Sequence, residues 1–272
     1  MYRNTFLSVM FLACCFNGSL CAQSDAQIYE RTCDAKTYPF SDPSPVATPN
    51  NSYYPYFRFD GFSMQAQEKQ WKMVVLENDY VKLTVTPEIG GKIWGAIDKV
   101  NNKEFVYTNG VVKFRDVAMR GPWTSGGIEF NFGIIGHAPT CSTPIDYLTK
   151  KNVDGSVSCH IFSYEWITRT VWNVEISLPK DKAYFTTHTT WFNQSSIDQP
   201  YYQWMNAGYA TKTGTRFYYP GTYSIGHSGD LHPYPIDEEG RDVSWYDNNN
   251  FGASKSLHII GDYNDYFGIY WH

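Results

Sequence analysis

The chain has 272 residues, of which 42% are hydrophobic and 18% are aromatic. This is ample apolar material for a core, and the aromatic share also supplies rings for stacking on a ligand. The formal net charge is −5 and the sequence pI is near 5.8. Because phosphate-backbone binding needs clustered Lys and Arg, and no basic run occurs, nucleic acid is excluded as an expected partner.

Residues 1–22 are typical of an export signal. Arg3 is followed by the apolar run Phe6 to Phe16 and then by the junction Ala22-Gln23, which matches a positive region, a short hydrophobic core and a small residue at the cleavage point. We expect a secreted or periplasmic protein, with lipid attachment at Cys14 as the alternative. No segment has the length of a transmembrane span.

Residues 23–70 are rich in Pro and Tyr, with four prolines between Pro39 and Pro49. Proline lacks a backbone donor and is disfavoured in helices and central strands. We therefore predict that this segment is an extended arm preceding the folded domain.

Residues 71–272 show the two-residue periodicity of half-buried strands. Val81, Leu83 and Val85 alternate with polar residues, as do the apolar residues of 172–178, and Asn-rich or Gly-rich turns separate such runs. No amphipathic helix is evident. We predict an all-β fold, a large antiparallel sandwich, and we expect it to be incomplete because residues 266–272 resemble a strand without a following turn.

Three cysteines remain after the predicted cleavage point: Cys33, Cys141 and Cys159. Their wide spacing gives neither a disulfide framework nor a metal motif. Buried thiols are favoured, and one disulfide plus one free thiol is the alternative. We predict no cofactor and no metal site.

The segment 126–137 carries Glu129, Asn131 and His137 among four glycines. Glycines are usual where a backbone turns sharply or approaches a ligand, so we expect a loop lining a sugar-binding cleft. Glu129 and His137 are the predicted catalytic pair, because sugar chemistry needs proton donors and acceptors. The alternative is a glycine-rich turn between two strands.

Further residues complete the predicted pocket. Trp123, on a turn-rich stretch, is expected to form the floor of the pocket. Arg120 and Asn131 are expected to bind sugar hydroxyls. Trp204 and Asn206 are expected to close the pocket from the neighbouring strands. His227 is a further substrate-binding candidate; no third His or Cys near it suits a metal site.

Several motifs resemble the galactose mutarotase-like superfamily. They are Leu83 to Trp94 with its Pro-x-x-Gly-Gly, Asn102 to Tyr107, Gly126-Gly127-Ile128, and the paired strands of Thr187 to Tyr209. The resemblance is closest to an uncharacterised bacterial family of exported proteins, and covers roughly residues 70–272. It implies a β-supersandwich followed by helical tetratricopeptide-type repeats.

The catalytic residues of mutarotases are not matched in this chain. No His lies between His188 and His227, where Trp204-Met205-Asn206 is the nearest match, and the mutarotase base comes from a later strand. We therefore expect an exported carbohydrate-recognising protein, either a glycoside-cleaving or sugar-isomerising enzyme or, alternatively, a non-catalytic glycan-binding or accessory module of a larger repeat-containing protein.

Overall fold

The structure is a computed structural model that describes residues 24–40, 61–116, 122–133, 137–219, 221–226, 229–249, 258–259 and 268–270. The predicted export signal lies outside these ranges. Within these ranges there are two 3-10 helices, η1 (Pro139–Cys141) and η2 (Tyr246–Asn248), and no helix there is long and apolar enough to cross a membrane.

The strands in chain order are β1 (Gln27–Tyr38), β2 (Gln67–Glu77), β3 (Val81–Thr86), β4 (Lys92–Asp98), β5 (Lys103–Val106), β6 (Val112–Lys113), β7 (Arg115–Asp116), β8 (Pro122–Trp123), β9 (Ile128–Gly133), β10 (Asp146–Lys151), β11 (Val157–Glu165), β12 (Thr170–Leu178), β13 (Thr186–Asn193), β14 (Tyr202–Ala207), β15 (Arg216–Tyr218), β16 (Tyr223–Ile225), β17 (Leu231–Pro233), β18 (His258–Ile259) and β19 (Gly268–Tyr270).

Two sheets dominate the fold. The large sheet has the order β14-β9-β4-β3-β2-β1-β6, with β5 also paired to β4, and the second sheet has the order β10-β11-β12-β13. Pairing within them is antiparallel except for a two-residue parallel contact between β1 and β6. The predicted all-β antiparallel sandwich is confirmed, and the strands predicted at 81–85 and 172–178 are β3 and β12.

The main core lies between these sheets. Alternate residues of β3, β4, β9, β11 and β12 turn their apolar side chains inward and are almost completely buried. Phe132 stacks on Trp172 with ring centroids 4.7 Å apart, and Trp191 packs edge-on against Phe132 at 5.4 Å.

The sheet begins earlier than predicted. Residues 27–38, inside the segment interpreted as an arm, form β1, which pairs with β2 from Gln27↔Glu77 to Thr37↔Gln67. The prolines that motivated the arm begin at Pro39, after the strand has ended, so their effect on backbone pairing does not reach β1.

The opposite face of the large sheet carries a second apolar cluster, formed by Trp71, Met73, Ile89, Trp94, Val112 and Phe114. Side chains of a strand alternate between faces, so Lys92 points to the same side as Trp94, while Ile93 enters the main core. The candidate site lies on this outer face.

The three cysteines of the described chain are all free thiols. Cys141 and Cys159 are buried, as favoured from the sequence, whereas Cys33 is only half-buried.

Candidate functional site

The segment predicted to be a glycine-rich loop contains a strand. Residues 128–133 form β9, and all six are buried. Phe130 and Phe132 enter the main core, so Glu129 and Asn131 point to the outer face by the two-residue alternation of a strand. The loop prediction was therefore wrong for these positions, because the flanking glycines obscured an alternating pattern of apolar and polar residues.

The glycines serve a tight approach between β9 and β4. Gly127 has φ +67°, and a Cβ at this position would lie 2.3 Å from the carbonyl oxygen of Ile93. Only glycine fits such a conformation and such a contact without strain. The residue thus brings the start of β9, and with it Glu129, against β4.

Glu129 is the centre of a buried hydrogen-bond network. Its Oε1 accepts hydrogen bonds from Asn131 Nδ2 at 2.7 Å and Asn206 Nδ2 at 3.3 Å, and lies 3.0 Å from His137 Nδ1. Asn206 reaches it because β14 pairs with β9 and places Asn206 opposite Glu129. The carboxylate is only 2% exposed. A ligand at the surface would therefore contact the hydrogen-bond partners of Glu129 before it reached Glu129 itself.

Lys92 is a charged partner that the sequence analysis missed. Its Nζ lies 3.9 Å from Glu129 Oε2, the two side chains are 1% and 2% exposed, and the ammonium donates to the carbonyl and to Oγ1 of Thr124. Within the described chain Oε2 accepts no hydrogen bond. The sequence feature that could have identified it is the two-residue alternation around Ile93, which places Lys92 on the same face of β4 as Trp94.

These contacts set the charge of the cluster. Burial favours the protonated form of Glu129, but the hydrogen bond from His137 and the charge of Lys92 outweigh it and lower the pKa of the carboxyl below its ordinary 4.5. Burial lowers the pKa of Lys92, opposed by the charge of Glu129. Burial, with Glu129 nearby, raises the pKa of the Cys141 thiol well above its usual range.

His137 lies between two indoles. Its ring centroid is 5.9 Å from that of Trp123, which meets it edge-on, and 5.1 Å from that of Trp204. The residue has φ +55°, an uncommon conformation for a side chain other than glycine. Because the neighbouring carboxylate is ionised and accepts, Nδ1 carries the proton and Nε2 is left for another partner.

The structure brings five predicted residues together: Glu129, His137, Trp123, Trp204 and Asn206. Asn131 is also there but has another role than predicted. It is fully buried, with its amide given to Glu129 and its Oδ1 accepting from the backbone of Ala138, so it supports the network instead of reaching a ligand. Arg120 and His227 lie outside the described residues.

The fold and the site define a β-sandwich protein with a buried Lys–Glu–His cluster under two indoles. The family model described as "Domain of unknown function (DUF5107)" matches residues 48–272, and the chain belongs to this family.

Among solved structures, the chain is similar to the crystal structure of a TPR-domain containing protein from Parabacteroides distasonis ATCC 8503, determined at 2.26 Å resolution. The TM-score is 0.71 at 24% sequence identity, and the match covers 82% of this chain and 38% of that chain. At this identity the likeness shows the fold alone. The chain thus spans well under half the length of that protein.

Proposed function

We propose that this protein binds carbohydrate on the surface formed by Trp123, His137 and Trp204. One observation carries the proposal: Glu129 fixes the imidazole of His137 through a 3.0 Å contact to Nδ1 while two indoles flank the ring. Indoles stack on the apolar face of a sugar ring, and a fixed imidazole nitrogen selects one hydroxyl.

The buried carboxylate acts through the histidine. Glu129 is nearly inaccessible and its Oε1 is already surrounded by three nitrogen atoms, so it orients His137 and does not itself face the sugar. The side chain of His137 is 15% exposed, and its Nε2 accepts a proton or a hydrogen bond from a sugar hydroxyl. Of the predicted catalytic pair, we therefore propose that His137 is the acid/base group and that Glu129 positions it.

Proton transfer at a sugar ring is the second function that this geometry favours. A histidine whose tautomer is fixed by a carboxylate is the usual arrangement of a general base. Ring opening would also require a proton donor to the ring oxygen, for which Lys92 is too deeply buried at 1% exposure. Binding is accordingly the primary proposal and sugar isomerisation the secondary one.

The wider context is proposed from the sequence and the structural likeness together. The residues before Gln23 have the features of an export signal, and the structural neighbour is named as a TPR-domain protein with a much longer chain. We infer an exported protein whose sandwich has the mutarotase-like supersandwich architecture and is joined to helical repeats.

Calorimetry with a panel of neutral oligosaccharides tests the binding proposal. Trp204→Ala is expected to weaken binding about tenfold, the loss of one indole face. Trp245→Ala is the matched control, since this half-buried indole packs on Arg216 at 5.0 Å instead. If Trp204→Ala binds with the same affinity as wild type, this surface is not the binding site.

Polarimetry of fresh aldose solutions, which compares wild type with His137→Gln, tests the secondary function, sugar isomerisation.

A further inference from the structure

A cleft separate from the proposed sugar-binding surface lies at one end of the second sheet. It has a volume of about 570 Å³ and is lined by Tyr164 and Arg169 on one side and by Gln194, Ser195 and Gln199 on the other. The first side is the turn from β11 to β12 and the second is the loop after β13. The two meet because Thr170 pairs with Asn193 across β12 and β13.

The turn between β11 and β12 is held rigid by a carboxylate. Glu165 accepts hydrogen bonds from the backbone amides of Ile167 at 3.2 Å and Thr168 at 2.5 Å, and from the hydroxyl of Thr168. These bonds use the acceptor atoms of Glu165 within the turn. Arg169 follows in the left-handed conformation, with φ +56°, so the turn fixes the backbone from which its exposed side chain extends.

The facing loop is braced in the same way by an amide. Asn193 donates to the carbonyl of Ile197 at 2.8 Å and accepts from the backbone amide of Ser195 at 2.9 Å. Gln199 then donates to the hydroxyl of Ser195 at 3.1 Å. Both walls are therefore organised by local hydrogen bonds, which reduces the entropy cost of binding.

The charge in the cleft is unbalanced. Arg169 is exposed and makes no ion pair with any described residue, and no lining residue is acidic. Asp198 belongs to the same loop but does not line the cleft, and Glu165 is occupied by its own turn. In a chain of net charge −5, one positive group beside two side-chain amides favours an anionic, hydroxyl-rich ligand.

We propose that this cleft binds a uronic-acid unit of an acidic saccharide. Arg169 receives the sugar carboxylate, a match of planar donors to planar acceptors. The amides of Gln194 and Gln199 receive hydroxyls, and Tyr164, with Trp166 edge-on at 5.0 Å, offers the aromatic contact. This proposal rests on the proposed carbohydrate binding, because it assigns a second carbohydrate ligand to a separate cleft.

The two sites share a neighbourhood. A Cβ built at Gly133, the last residue of β9, would lie 3.7 Å both from Glu165 Cγ and from Ala138 Cβ, the residue after His137. Glu165, which anchors the turn of Arg169, and Ala138, which follows His137, therefore both lie close to Gly133.

Calorimetry with trigalacturonic acid and with its fully methyl-esterified form tests the proposal. Wild type is expected to prefer the acid about tenfold, and Arg169→Gln to abolish that preference, because a charge-assisted pair is lost. Arg169→Lys should keep part of it. Arg31→Gln, an exposed arginine on β1, is the matched control and should behave as wild type, and all variants should keep the wild-type Tm.

The outcomes separate this proposal from the previous one. Loss of acid preference in Arg169→Gln, with the preference kept in His137→Gln, supports this cleft, and the panel of neutral oligosaccharides judges the first site independently. The reverse pattern overturns the acidic cleft while leaving the first site in place. No binding of trigalacturonic acid, equal binding of both forms, or equal losses in Arg169→Gln and Arg31→Gln also overturns it.

Discussion

Lys92 and Glu129 face each other beneath the indoles of the candidate site, with Nζ and Oε2 3.9 Å apart and both side chains withdrawn from solvent. Opposite charges in such a place stabilise the fold only while both are present, because either one alone is a buried charge without a counter-ion. The pair therefore links the stability of the sandwich to the position of His137.

Removal of one charge is expected to be costly. Glu129→Gln should lower the free energy of unfolding by about 3 to 5 kcal/mol, since Lys92 loses its counter-charge. Lys92→Met in the same background should recover much of this loss, because the buried charge is then gone as well. Urea denaturation of wild type, both single variants and the double variant gives the coupling energy, and additive single effects would contradict a direct interaction.

The free energy of unfolding at acidic pH should depend on the same Glu129 carboxylate. The pKa of Glu129 is lowered from its ordinary 4.5 in the fold, so the unfolded chain binds the extra proton as pH falls. Its contribution is complete above the ordinary pKa and is lost as pH falls through the lower folded value. Subtracting the unfolding free energies of Glu129→Gln from those of wild type isolates this contribution; a difference that stays constant down to about pH 2 contradicts the shift.

The entry of β9 depends on Gly127. Gly127→Ala places a Cβ 2.3 Å from the Ile93 carbonyl oxygen at φ +67°, and we expect a loss of about 3 kcal/mol or more. Gly214→Ala is the control, since that glycine has φ +83° but open space around its Cβ. It should lose about 1 kcal/mol from backbone strain alone. Thermal unfolding of the two variants compares them, and similar losses would show that the close approach to β4 is unimportant.

The sequence predicted the strands in which apolar and polar residues alternate without interruption. Val81 to Val85 and Trp172 to Leu178 were identified because each apolar residue faces one core. β9 was missed because glycines at both ends resemble a turn, and β1 because its polar residues precede a proline-rich stretch. In both cases the neighbouring strand, and not the local pattern, determines the pairing.

The candidate site was predictable only in part. Glu129, His137 and the two indoles were identified from residue type and spacing, but their contacts depend on the pairing of β14 with β9. The same pairing turns Asn206 toward Glu129. Lys92 escaped notice because a lysine in a strand is usually solvated, and only the approach of β9 and Thr124 encloses it.

The most direct test of the account is the state of the His137 ring during a sugar titration. Nitrogen-15 NMR of the histidine side chains, with His137 assigned by its absence in His137→Gln, follows both ring nitrogens as the tightest-binding oligosaccharide is added. We expect Nδ1 to remain protonated throughout and the Nε2 signal to shift with the Kd found by calorimetry. An Nε2 signal that stays unchanged at saturation would contradict the claim that His137 contacts the sugar.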